Sequence, residues 1–143
     1  MRTITLFLFA ALAVVSSSVH AQQLPGHPNT GTQTVSSYVS NSRYPYENQT
    51  GGVIEIQSGG WLDNMALAIL HNHGVLHNLS GGTLTNDGSI FNQTGGDFQN
   101  SGAVYSNDFL GNYGTLANEP GGSINSEFKF INSGTLRNNG VIN

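Results

Sequence analysis

The chain has 143 residues, enough for a single domain. Only 8% of them are charged, about a third of the usual share, and the formal net charge is −4. Lys and Arg together number 4, so no basic face exists for nucleic acid or an anionic membrane, and the absence of cysteine excludes a disulfide framework.

Residues 1–21 read as a secretory signal peptide. Met1-Arg2 is a short positive start, Leu6 to Val15 is almost wholly apolar, and Val19 and Ala21 are small residues at the −3 and −1 positions before Gln22. The apolar run is too short for a membrane span and no second run of spanning length follows. The expectation is a secreted or cell-surface protein without an integral membrane span. Residues 22–47 are rich in Gln, Pro, Thr, Ser, Asn and Tyr, and Pro25, Pro28 and Pro45 interrupt them. They read as an extended linker or leader, with one short strand over Thr34–Val39 covering the first coil of what comes next.

Residues 48–143 repeat a short phrase of glycine, any residue, an apolar residue, any residue and asparagine. Gly74-Val-Leu-His-Asn78, Gly82-Thr-Leu-Thr-Asn86 and Gly114-Thr-Leu-Ala-Asn118 are examples. The apolar positions run Ile54, Leu62, Leu70, Leu76, Leu84, Ile90, Phe98, Val104, Leu110, Leu116, Ile124, Phe130, Leu136 and Ile142, always 6 or 8 residues apart. Even steps keep them on one side of a pleated chain, and units this short must stack to bury that side. The fold class expected is all-β, a parallel β-solenoid (β-helix) of 6- or 8-residue strand–turn units.

Two corner types account for the two steps. The short one is Asn-x-Gly, as in Asn72-His-Gly74; the long one is Asn-x-x-Gly-Gly, as in Asn92-Gln-Thr-Gly-Gly96. Asn and Gly both tolerate the left-handed backbone of a tight corner. From Leu62 on, long corners follow Leu62, Leu76, Ile90 and Leu116, alternate members of the series, which favours two strands per coil. A coil of three strands and 18 to 22 residues fits the lengths too, but scatters the long corners over different edges. In the strand phrase the apolar residue and the asparagine two places on share a side. The asparagines therefore either form an inward amide ladder between coils or serve as turn formers bonding their own backbone.

The phrase resembles the Asn-x-Gly-x-[Leu/Ile]-x-Asn-x-Gly repeats of filamentous-haemagglutinin-type adhesins and related autotransporter passenger domains, over residues 48 to 143. That resemblance implies a parallel β-helix and a surface or extracellular role. The family's long secretion domain and outer-membrane barrel are absent from the sequence, and the spacing is tighter than its usual coil.

Candidate sites are few. His71 and His77 each follow an inward apolar residue and so point outward, and His73 lies in the corner between them. Three imidazoles this close are candidate zinc or copper ligands, but no carboxylate or cysteine in the same stretch completes a set. The expectation is no metal and no cofactor. Asp63, Asp87, Asp97, Asp108, Glu55, Glu119 and Glu127 are scattered over corners and faces, without the clustered carboxylates of a β-helical polysaccharide enzyme. Outward Trp61, Phe91, Tyr105, Phe109 and Ile131 make a candidate contact strip, with Phe91, Tyr105 and Ile131 on one face of a two-sided coil. The sequence as a whole leads to an exported, non-enzymatic structural or adhesive surface module. Its expected partners are a surface glycan or protein, or other copies of itself through an open solenoid edge. The alternatives are a self-polymerising extracellular fibre subunit and a polysaccharide-active enzyme.

Overall fold

A computed structural model describes residues 22–143; the expected signal peptide over residues 1–21 lies outside the described residues. The first winding uses β1 (Gln22–Gln23), β2 (Thr32–Val35), β3 (Tyr38–Asn41) and β4 (Tyr46–Asn48). The middle of the chain follows with β5 (Val53–Ile56), β6 (Trp61–Asn64), β7 (Ile69–Asn72), β8 (Val75–Asn78), β9 (Thr83–Asn86) and β10 (Ser89–Asn92). Next come β11 (Asp97–Asn100), β12 (Ala103–Ser106), β13 (Phe109–Asn112) and β14 (Thr115–Asn118). The last are β15 (Ser123–Ser126), β16 (Lys129–Asn132), β17 (Thr135–Asn138) and β18 (Val141–Ile142).

Every strand pair is parallel, and the strands sort into three sheets: β1-β3-β6-β9-β12-β15-β18, β4-β7-β10-β13-β16 and β2-β5-β8-β11-β14-β17. The parallel β-solenoid expected from the repeat is thus present, but its coil has three strands, not two. Ser89 lies beside Ile69 on one side and Phe109 on the other, so one coil takes about 20 residues. The long corners do scatter over all three edges, and their geometry explains why that costs nothing. In each, the N–H at the last corner position donates to the carbonyl three residues back, as Gly52 to Gln49, Gly82 to Leu79 and Gly96 to Gln93 at 2.8 Å, and Ala68 to Met65 at 2.9 Å. The two extra residues loop outward and the chain re-enters the coil where a short corner would, so corner length carries no information about the number of sides.

The segment 22–47 is not a linker. It carries β1 to β3 and most of β4, pairs with the coil beyond it, and buries Leu24, Val35, Val39 and Tyr46. Its prolines fall outside β1 to β4, in the connections, where a missing N–H breaks no ladder bond.

Strand after strand shows the same alternation, buried at the apolar residue and the asparagine, half-buried between. Ile54 to Ile124 of the indexed series are fully buried in one column; Phe130, Leu136 and Ile142 pack on its last coil, partly exposed. Each such side chain contributes roughly 1.5–3 kcal/mol by leaving water.

Beside the column run three asparagine files, so the ladder reading holds. In the β4–β16 sheet, Asn48 Nδ2 donates to Asn72 Oδ1 (2.6 Å), Asn72 to Asn92 (2.8 Å), Asn92 to Asn112 (2.8 Å) and Asn112 to Asn132 (2.7 Å). A second file links Asn78, Asn100, Asn118 and Asn138, each step 2.8 Å. The third passes from Asn41 through Asn64 and Asn86 to the hydroxyl of Ser106. Most of these amides also donate to a backbone carbonyl at the next corner, as Asn72 does to Asp97 at 3.1 Å. The second amide proton therefore has a partner, and a buried polar group that would otherwise be costly is satisfied.

The corners correct one expectation. The ladder asparagines do not adopt left-handed backbone, and neither do the glycines of the short corners. Among the corner glycines of the repeat only the first of a Gly-Gly pair does, as at Gly95 (φ 86°). The second glycine of a pair and the glycine of a short corner are needed for space: a Cβ at Gly96 would strike the carbonyl oxygen of Asn72, and one at Gly114 those of Gly96 and Gln93 in the preceding coil.

Candidate functional site

Positions between the inward apolar residue and the inward asparagine face solvent, and in a parallel stack they line up in files one strand spacing apart, ~4.8 Å. On the β4–β16 sheet one file reads Glu47, His71, Phe91, Gly111, Ile131, and the file beside it includes Ser89, Phe109 and Lys129. Two groupings arise there.

The first is a carboxylate with two imidazoles. His71 and His73 are two residues apart and flank the inward Asn72, so both project outward. Glu47, on the coil before, lies in register with His71. His71 Nδ1 is 2.8 Å from Glu47 Oε1 and His73 Nε2 is 3.5 Å from Glu47 Oε2. All three side chains are half-buried, and each offers a ligand atom within 4.8 Å of the other two. Among the described residues this is the one such group of three. The backbone holds it in place: the His73 N–H donates to the carbonyl of Asn48 at 2.7 Å, and the Phe91 ring meets His71 edge-on with centroids 5.3 Å apart.

The sequence-level set of three histidines is thereby corrected. His77 belongs to β8, in another sheet, between Glu55 and Gln99. The carboxylate missing from the local stretch comes from Glu47, a full coil earlier in a segment read as leader. Composition masked it, because the signal is spacing across coils.

The second grouping is aromatic. Phe91 and Phe109 lie side by side, centroids 5.1 Å apart with 35° between planes, and the Lys129 ammonium sits 5.9 Å from the Phe109 centroid. Ile131 shares this sheet. Tyr105 does not: it lies on the β1–β18 sheet between Thr85 and Asn125. Trp61 is on that sheet too, edge-on to Tyr38 at 5.1 Å, with its indole N–H donating to Thr85 Oγ1 at 3.0 Å. Tyr38 donates its hydroxyl to Asp63 at 2.8 Å, and that bond, with burial and the carboxylate's charge, raises the phenol's pKa. The strip expected as one face is therefore two patches on two faces, because the coil has a third side.

Asn48-Gln-Thr50, Asn78-Leu-Ser80 and Asn92-Gln-Thr94 have the spacing of N-glycosylation sequons, but these asparagines are ladder members no more than 1% exposed, so their amides are inaccessible in the folded chain. No helix among the described residues is long and apolar enough to cross a membrane. No protein-family model, curated protein or solved structure matches this chain.

Proposed function

We propose that this chain is an exported, non-enzymatic structural and adhesive module whose β4–β16 face meets a surface glycan. The observation that carries the reading is the tilted Phe91–Phe109 pair with Lys129 at its margin. Two adjacent rings on a rigid sheet offer apolar area at low entropic cost to the C–H face of a sugar, while a cation beside them suits an acidic substituent. The interior supports a scaffold role: inward positions are taken up by the apolar column and the asparagine files. The export signal and the likeness of the repeat to adhesin repeats point the same way.

Binding of the intact chain to immobilised bacterial and host polysaccharides tests this. At least one acidic glycan should be retained, and the double variant Phe91→Ser/Phe109→Ser should weaken retention roughly tenfold, the loss of about 1.4 kcal/mol. Turnover of the glycan, or retention unchanged in the variant, would overturn the reading. Filaments in negative-stain microscopy would point instead to a fibre subunit.

A further inference from the structure

We infer that Glu47, His71 and His73 form a binding site for a divalent transition-metal ion, zinc in the first instance, that clamps one coil of the solenoid to the next. The donor set is two imidazoles and a carboxylate, which suits zinc, copper and nickel and is poor in the oxygen donors that calcium requires. First-row ions bind such atoms at about 2.0–2.2 Å, which sets the donors roughly 3–3.5 Å apart. The His73–Glu47 contact already lies there at 3.5 Å, and the His71–Glu47 contact, now a hydrogen bond at 2.8 Å, would open by a few tenths of an ångström to admit the ion.

The set is also preorganised. Glu47 and His71 are fixed by strand register, His73 by its backbone bond to Asn48, and the His71 ring by the Phe91 edge. Little side-chain freedom remains to be lost on binding. All three side chains are partly open, at 27%, 27% and 40% exposure, so an ion can enter and keep a position for water. The inference is independent of the glycan reading, since it concerns the fold's own donors.

The ion would join β4 to β7 and so pin the first winding, which the Pro-containing connections make the least regular. Replacing the hydrogen bond between His71 and Glu47 by a shared metal converts a one-proton contact into a three-point link between coils.

Calorimetric titration of the intact chain with zinc chloride, beside thermal melts with and without zinc, tests this. The expected result is one ion per chain, an unfolding midpoint raised by several degrees, and affinity weakened at least about tenfold in each of Glu47→Gln, His71→Gln and His73→Gln. His77→Gln should bind as the parent does. X-ray absorption on the zinc-loaded parent, which needs no variant to fold, should show two imidazole nitrogens with oxygen donors. Absence of binding, undiminished affinity in His73→Gln, an equal loss in His77→Gln, or a first shell without imidazole would each overturn the site.

Discussion

At the scale of single residues, the corners separate two demands that one glycine-rich phrase conceals. Leu67 occupies the place of the first glycine in a long corner: the Ala68 N–H donates to the Met65 carbonyl as Gly52 does to that of Gln49, and Leu67 has φ 68° and is 88% exposed. A left-handed leucine strains the backbone and buries nothing, so Leu67→Gly should raise stability by about 1 kcal/mol in urea unfolding. A fall would show that the side chain contributes something the geometry does not. Gly95 and Gly114 differ in kind. Gly95→Ala meets open space and only a dihedral penalty, about 1 kcal/mol, whereas Gly114→Ala drives a methyl group into two carbonyls of the coil beneath and should cost at least ~3 kcal/mol. Equal costs would mean that the coils can part locally.

At the scale of the element, a strand is four residues with two inward positions, and the asparagine position is as demanding as the apolar one. Asn92 accepts from Asn72 and donates to Asn112 and to the carbonyl of Thr115, all inside the coil. Asn92→Ala leaves a buried donor and a buried acceptor unmatched and should cost ~2–4 kcal/mol. Asn132→Ala, at an exposed position in the same file, should cost under ~1 kcal/mol. Chemical denaturation of the two variants makes the comparison. Much of this was legible beforehand: strict even steps placed Ile54 through Ile142 on one side, and the asparagine two places on had to share it. The number of strands per coil was not legible, because residues such as Thr50-Gly51 or Thr94-Gly95 loop outside the path and alter spacing without altering direction. Nor was the split of Phe91 from Tyr105, which follows from the third side.

At the scale of the whole molecule, the first winding is where sequence and structure diverge most. Prolines, short strands and a 24-residue interval between Tyr46 and its partner Leu70 hide the repeat there. With the repeat hidden, Glu47 could not be assigned to the coil of His71. Tyr46 anchors this winding: it sits in the apolar column, and its hydroxyl donates to the carbonyls of Pro25 and Gly26. Burial pushes its pKa up to about 12 from 10.0, against a small opposing effect of Arg43. The folded value stands above the unfolded one. The neutral phenol's contribution is therefore fully present below about pH 10 and lost as the pH rises to about 12, a fall on the order of 2 kcal/mol. Tyr46→Phe should lower stability by ~1 kcal/mol at neutral pH and flatten that alkaline decline, as read by circular dichroism across the range. A decline as steep as the parent's would place its cause elsewhere.

The ladders have one more consequence. In each file the amide nitrogen of the earlier residue donates to the oxygen of the later one, and the extra bonds to corner carbonyls forbid the flipped arrangement. All three files therefore point along the axis in the same sense, so their amide dipoles add rather than cancel. The solenoid is an electrically directed rod: oxygens face its amino-terminal end, as at the unpartnered Asn78 Oδ1, and N–H groups face the other.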